Sequence, residues 1–184
     1  VSGCVTQSSV GISMDTLAPM ADAGASVELN CIVQNAILDG TNSSIGNDYS
    51  YAWTTTDGNI FANQNSLQPT VNELGMYYLE VISEVNGCTA EDSVCVSQNI
   101  TIPISTAGVD TLITCDNSTL ILNGTGSSIG TNYIYQWTAT NGGIINNNSS
   151  SLQPQISALG NYELVVTDLT NGCFATDFLT VDAD

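Results

Sequence analysis

The side chains able to do chemistry in this 184-residue chain are six cysteines and 18 aspartates plus glutamates; Lys, Arg and His are all absent, and the formal net charge is -18. General acid–base work near neutrality needs a group that titrates there, so without His or Lys only a carboxylate shifted by burial could serve. Asp15-Thr16-Leu17 and Asp110-Thr111-Leu112 lack the glycine of the aspartic-protease Asp-Thr/Ser-Gly. No Gly-rich phosphate loop or nucleophile elbow occurs. A carboxylate pair for glycoside cleavage stays open on composition alone. Short loops rarely form the cleft such a pair needs, and no enzyme is expected.

The thiols point elsewhere. Six Cys without His and without CxxC spacing fit an oxidising compartment and disulfides better than zinc. Asp39, Asp48, Asp57, Asp116 and Asp168 fall in expected turns, where their oxygens could collect calcium. No EF-hand pattern is present, and turn formation by the Asp side chains is the favoured reading. No cofactor is required; calcium is the candidate cation, especially where carboxylates gather at a joint between modules.

The charge bounds the partners. A uniformly acidic surface repels nucleic acid and anionic membranes. Acidity with few aromatics often means disorder, but 42% of residues are hydrophobic and they alternate, so a folded chain is expected. With no basic side chain there are no side-chain ion pairs, which leaves cross-strand packing, backbone ladders and disulfides to hold the fold. No run approaches the roughly 18 apolar residues of a membrane span, and no signal peptide is evident.

The elements that position these groups are set by an internal repeat. Cys31 and Cys115, Gly40 and Gly124, and Trp53 and Trp137 each lie 84 positions apart. After a one-residue insertion Pro69 and Pro154, Gly75 and Gly160, Tyr77 and Tyr162, and Cys88 and Cys173 lie 85 apart. The shared text includes SSIG, SLQP and NGC. The stretch SGCVTQSSVGIS from Ser2 aligns with NGCTAEDSVCVS from Asn86 and NGCFATDFLTVD from Asn171. Residues 1–13 are therefore expected to be the last strand of a preceding module, or a strand donated to a neighbouring subunit. Module one covers 14–97 and module two 98–184.

Short period-2 runs separated by Gly, Asn, Asp and Pro predict an all-β fold of two tandem immunoglobulin-like sandwiches. In module two the expected strands are Ile100 to Ile104 with Val109 to Thr114, Thr119 to Leu122, and Tyr133 to Thr138. Short strands follow around Ile144 and Leu152, then Tyr162 to Thr167 and Phe174 to Val181. Turns are expected at Asn141-Gly142-Gly143 and Asn171-Gly172. Trp53 and Trp137 occupy the place of the central strand-C tryptophan, and Tyr77 and Tyr162 that of the tyrosine corner.

With AGVDTLITC from Ala107, STLILNGTGS from Ser118, YQW at Tyr135, LGNYELVVTD from Leu159 and NGC at Asn171, the chain resembles PKD-like repeats of very large secreted Bacteroidetes surface proteins, gliding-type and other adhesins among them. The turn after the tryptophan departs from that pattern, reading Asp57-Gly58-Asn59 in one module and Asn141-Gly142-Gly143 in the other. The resemblance implies a stalk or adhesin role at the cell surface and no catalysis. Asp15-Thr16-Leu17, Asp92-Ser93-Val94 and Asp110-Thr111-Leu112 also resemble the Asp-Ser/Thr-aliphatic O-glycan acceptor of Bacteroidetes, which makes Thr16, Ser93 and Thr111 candidate sites; ordinary strand alternation explains them equally well. Asn42, Asn99, Asn117, Asn123 and Asn148 head sequons that matter only where N-glycosylation operates.

Two disulfide schemes stand. Cys31 with Cys88 and Cys115 with Cys173 would close each module on itself. Against this, the turn before strand B and the F–G turn lie at opposite ends of a sandwich, about 25 Å apart, whereas bonded cysteines need Cα atoms within about 7 Å. Stacked end to end, Cys31 instead approaches Cys173, with Cys88, Cys115 and Cys4 reaching to neighbouring modules. Cys95, whose counterparts are Gly11 and Thr180, pairs with Cys31 or stays free. The function expected is a stiff spacer in an extracellular adhesin, stalk or filament, which trypsin cannot cut for want of Lys and Arg. A carbohydrate- or ligand-binding module and a subunit polymerising by strand addition are the competing readings.

Overall fold

The computed structural model describes residue 3 and residues 7–115 and 118–184, and its elements are all β-strands. The chain divides into two compact units, one of residues 1–27 and 35–96, the other of residues 28–34 and 97–184. Residues 28–34 fall within the span that the repeat assigns to module one, and residues 28–30 of them belong to a strand of the first half's sheet.

The first half of the chain supplies β1 (Val27–Asn30), β2 (Ala36–Ile37), β3 (Tyr49–Thr55), β4 (Ile60–Ala62), β5 (Thr70–Val71), β6 (Gly75–Ser83) and β7 (Thr89–Asn99). They form a four-stranded sheet ordered β1-β7-β6-β3 and a three-stranded sheet ordered β2-β5-β4. The second half supplies β8 (Thr111–Ile113), β9 (Leu120–Ile121), β10 (Tyr133–Thr140), β11 (Ile145–Asn147), β12 (Gln155–Ile156), β13 (Gly160–Asp168) and β14 (Phe174–Ala183). These repeat the pattern as β10-β13-β14-β8 and β11-β12-β9. Each set is a two-layer sandwich of immunoglobulin type, with β8 running parallel to β14 (Val181 beside Thr111) while β10, β13 and β14 pair antiparallel.

Period-2 burial explains the layers. Along β13, Tyr162, Leu164 and Val166 are buried while Asn161 and Glu163 face out. Trp137 lies opposite Leu164 and Tyr162 opposite Leu179, and all four belong to one core with Ile156 and Leu122 from the facing sheet. In the first unit Trp53 lies opposite Leu79 and Tyr77 opposite Val94, again all buried. Each such side chain contributes about 1.5–3 kcal/mol relative to exposure, the term left to a chain that cannot form side-chain ion pairs. Gly124 and Gly40 let backbone approach this core: a Cβ would stand 2.9 Å from the carbonyl oxygen of Leu152 or Leu67 and 3.3 Å from the tryptophan ring.

Two expected strands differ. Ile100 to Ile104 forms no strand, because the chain around it is held by side chains instead of a ladder. Ile104 N–H donates to Ser128 Oγ (2.8 Å), Thr106 N–H to Ser127 Oγ (2.9 Å) and Ala107 N–H to Asp177 Oδ2 (2.7 Å). Pro103 within it has no N–H to give to a ladder. The strand expected around Leu152 lies instead at Gln155–Ile156, immediately after Pro154, whose carbonyl accepts from Leu122 N–H at 3.0 Å. Residues 7–13, expected as a strand of a preceding module or of a neighbouring subunit, have no regular structure within this chain and are exposed. Both sandwiches already hold the corresponding strand, β7 or β14, so neither offers these residues an edge of that kind.

Candidate functional site: the cysteine turns

In the second unit two turns meet at a disulfide. One follows β1, where Asn30 Oδ1 accepts the N–H groups of Ile32 (3.0 Å) and Val33 (2.8 Å) and so folds the chain tightly around Cys31. The other is Asn171-Gly172-Cys173 between β13 and β14, in which Asn171 Oδ1 accepts Cys173 N–H at 2.9 Å and Gly172 has φ 70°. Cys31 and Cys173 are bonded, with Cα atoms 5.1 Å apart across a sequence separation of 142.

Hydrogen bonds surround the sulfurs. Cys31 N–H donates to Asn171 O (3.1 Å). The Asn171 amide donates to Asn99 Oδ1 (3.0 Å) and Thr101 O (2.9 Å). Asn171 and Cys173 are each only 1% exposed, so these bonds satisfy an otherwise costly buried amide. A Cβ on Gly172 would collide with Ile32, which packs directly over the turn.

The remaining cysteines are placed differently. Cys88, Cys95 and Cys115 are free thiols, with Cys95 and Cys115 exposed and Cys88 partly so. Neither Cys31–Cys88 nor Cys115–Cys173 is formed. Cys95 is not joined to Cys31; it sits in mid-β7 opposite Met76. Cys4 lies outside the described residues.

Of the candidate calcium ligands, Asp39 and Asp168 hold turns. Asp39 accepts Thr41 N–H (3.2 Å) and Oγ1–H (2.6 Å), and that hydroxyl above all holds its carboxyl below the usual range. Asp168 binds Thr170 in the same way (2.8 and 2.6 Å), and Asp57 accepts Met76 N–H at 3.0 Å. Asp48 contributes its carbonyl to Glu84 N–H, and Asp116 lies outside the described residues. Among the described residues no three Asp, Glu, Cys or His side chains gather as a metal site would require. Of the glycosylation candidates, Thr16 and Ser93 are exposed and Thr111 is half-buried in the β8–β14 ladder.

The aromatic positions are tied to backbone. Trp53 Nε1 donates to Ser66 O (2.9 Å) and Trp137 Nε1 to Ser151 O (3.0 Å). Tyr162 Oη donates to Ala158 O (2.6 Å) and accepts Ile144 N–H (3.0 Å); Tyr77 Oη donates to Glu73 O (2.7 Å) and accepts Asn59 N–H (2.9 Å). Burial, aided by the nearby Glu73 and Asp57 charges, pushes the Tyr77 hydroxyl above its ordinary range. A raised folded-state value contributes stability in full below the unfolded value of about 10 and loses it above. Unit one is therefore expected to lose stability in urea melts as pH rises past about 10, and Tyr77→Phe to flatten that dependence; equal alkaline sensitivity in Tyr77→Phe contradicts it.

Two carboxylates were not singled out for what they do. Asp92 Oδ2 accepts Ala23 N–H and Asp177 Oδ2 accepts Ala107 N–H, both at 2.7 Å, pinning the first segment of each module to its last strand. Their 85-residue spacing within the repeat was the available signal.

No family model matches the sequence, and no curated protein matches it. Among solved structures, the titin I-band fragment I67-I69 is similar at 10% identity and TM-score 0.45, over 90% of this chain and 65% of that one. Human protocadherin-24 EC1-2 is similar at 10% identity and TM-score 0.42, over 91% and 99% of the two chains. The N-terminal four Ig domains of Dscam1 isoform 1.9 give 11% identity and TM-score 0.33, over 90% and 46%. The chain thus spans less than two thirds of the titin fragment. These TM-scores lie below 0.5, and the fold assignment rests on the strand order and register described above.

Proposed function

We infer that this chain is a structural spacer from an extracellular adhesin, stalk or filament of the PKD-like kind. The observation that carries this reading is the Cys31–Cys173 bond, which ties the turn after β1, a strand of the first repeat's sheet, to the β13–β14 turn of the second repeat. A disulfide fits a secreted or surface setting. The carboxylates of Asp39 and Asp168 hold turns and those of Asp92 and Asp177 hold the first segment of each module, as a structural role requires. Stiffness and protease resistance are the properties such a spacer needs. Small-angle scattering of the oxidised chain is expected to give one maximum dimension, unchanged between low and high salt, and a dimension that varies with salt or a broad distribution contradicts a stiff spacer.

One observation favours a ligand-binding role. Phe174 and Phe178 are 62% and 72% exposed on the outer face of β14, Phe178 directly across from Glu163 of β13. Their counterparts in the first repeat are Thr89 and Ser93, so this aromatic face belongs to one module only. Sugar rings stack on such faces. Glycan-array binding lost in Phe178→Ala would establish that reading.

A further inference from the structure

We propose that copies of this chain join head to tail through a disulfide between Cys88 of one copy and Cys115 of the next, closing the same turn-on-turn joint that Cys31 and Cys173 close within the chain. The proposal rests on the spacer reading and names the partner surface.

The repeat supplies the template. Cys88 is the counterpart of Cys173 and Cys115 that of Cys31, with Thr114 and Asp116 standing where the first repeat has Asn30 and Ile32, and the bonded pair shows how a turn of the Cys31 kind meets one of the Cys173 kind. The Cys88 turn is already set: Asn86 Oδ1 accepts Cys88 N–H at 2.9 Å and Gly87 has φ 72°, against 2.9 Å and 70° at Asn171-Gly172-Cys173. Asn86 Nδ2 donates to Leu17 O at 3.0 Å, the counterpart of the bond from Asn171 to Thr101 O. The second Asn171 bond, to Asn99, is the one a partner would supply. The counterpart of Asn99 is Asp184, located past the end of β14 beside Ile113, whose carbonyl accepts its N–H at 3.3 Å. In the joined pair Asn86 Nδ2 of one copy donates to the Asp184 carboxylate of the other, and Cys115 N–H donates to Asn86 O. Both thiols are free and at least partly exposed in the single chain.

The bond needs an oxidant, and a small disulfide such as oxidised glutathione suffices. The Cys115 thiolate attacks it, forming a mixed disulfide and releasing one glutathione thiolate. The Cys88 thiolate of the second copy then attacks the Cys115 sulfur, releasing the second glutathione and leaving the protein disulfide. Each thiol gives up one proton to solvent, and glutathione disulfide takes the two electrons. Two acidic chains repel, so linking is expected to speed up as salt shortens the roughly 10 Å screening length of 0.1 M solution.

The test uses the full chain carrying Cys4→Ser and Cys95→Ser, oxidised with a glutathione redox buffer and run without reductant. A ladder of dimers and longer species is expected, absent in Cys88→Ser and in Cys115→Ser, and slowed several-fold in Asn86→Ala. Digestion before aspartate, which puts each cysteine on its own peptide, is expected to yield the Cys88–Cys115 link from the dimer band. A ladder surviving Cys115→Ser, symmetric Cys88–Cys88 or Cys115–Cys115 links, a Cys88–Cys115 link within monomers, or no ladder overturns the proposal. The Cys31–Cys173 peptide is read in the same digest. Its presence without a ladder sinks head-to-tail joining and leaves the spacer standing; its absence removes the spacer's own support.

Discussion

Trp137→Ala is expected to unfold the second unit while leaving the first folded. Trp137 is 1% exposed at the centre of a core shared by both sheets, its ring packs against Gly124, and its Nε1 is bonded to Ser151 O. Truncating such a residue costs about 3–5 kcal/mol, a large part of the 5–15 kcal/mol that small domains possess. The unit cannot draw on side-chain ion pairs to compensate. Trp53 then remains as the chain's one tryptophan, so its emission follows the first unit alone. The expected result is a Trp53 transition close to that of the parent beside a far-UV signal that has lost the second unit's share. Simultaneous loss of both signals contradicts two separately cored sandwiches.

Cys31→Ser is expected to have the next largest effect. It opens a loop across 142 residues and exposes the Cys173 thiol whenever the turn moves. Loss of a long-loop disulfide costs about 2–5 kcal/mol. The parent melted in reductant should match Cys31→Ser, and Cys88→Ser should melt like the parent, because the Cys88 thiol is free in the single chain. A Cys88→Ser variant as unstable as Cys31→Ser would place the bond elsewhere.

Several of these features could be read before any coordinates. Trp137 and Tyr162 were legible because an 84- to 85-residue repeat set each against its twin and because buried aromatics on alternating strands have few other uses. The meeting of a turn before strand B with an F–G turn was one of two pairings that the sequence left open, reached only by stacking the modules end to end. Ile100, Ile102 and Ile104 misled, since their alternation looks like a half-buried strand, yet they are 53%, 64% and 62% exposed and the segment is held by serine hydroxyls. The serines themselves stood in plain view as the repeated SSIG, but a side chain bonding backbone 21 or 24 residues away leaves no local periodicity. Asp92 and Asp177 act over 69 and 70 residues and were hidden for the same reason.

The most direct measurement of the central claim is a digest before aspartate of the unreduced chain, analysed by mass spectrometry. The six cysteines fall on six peptides, so every linkage is read without ambiguity. One linked species is expected, which joins the peptide containing Cys31 to the peptide containing Cys173 and separates on reduction. Cys31 linked to Cys88, or Cys115 linked to Cys173, would mean that each module closes on itself, and the joint described here would not exist.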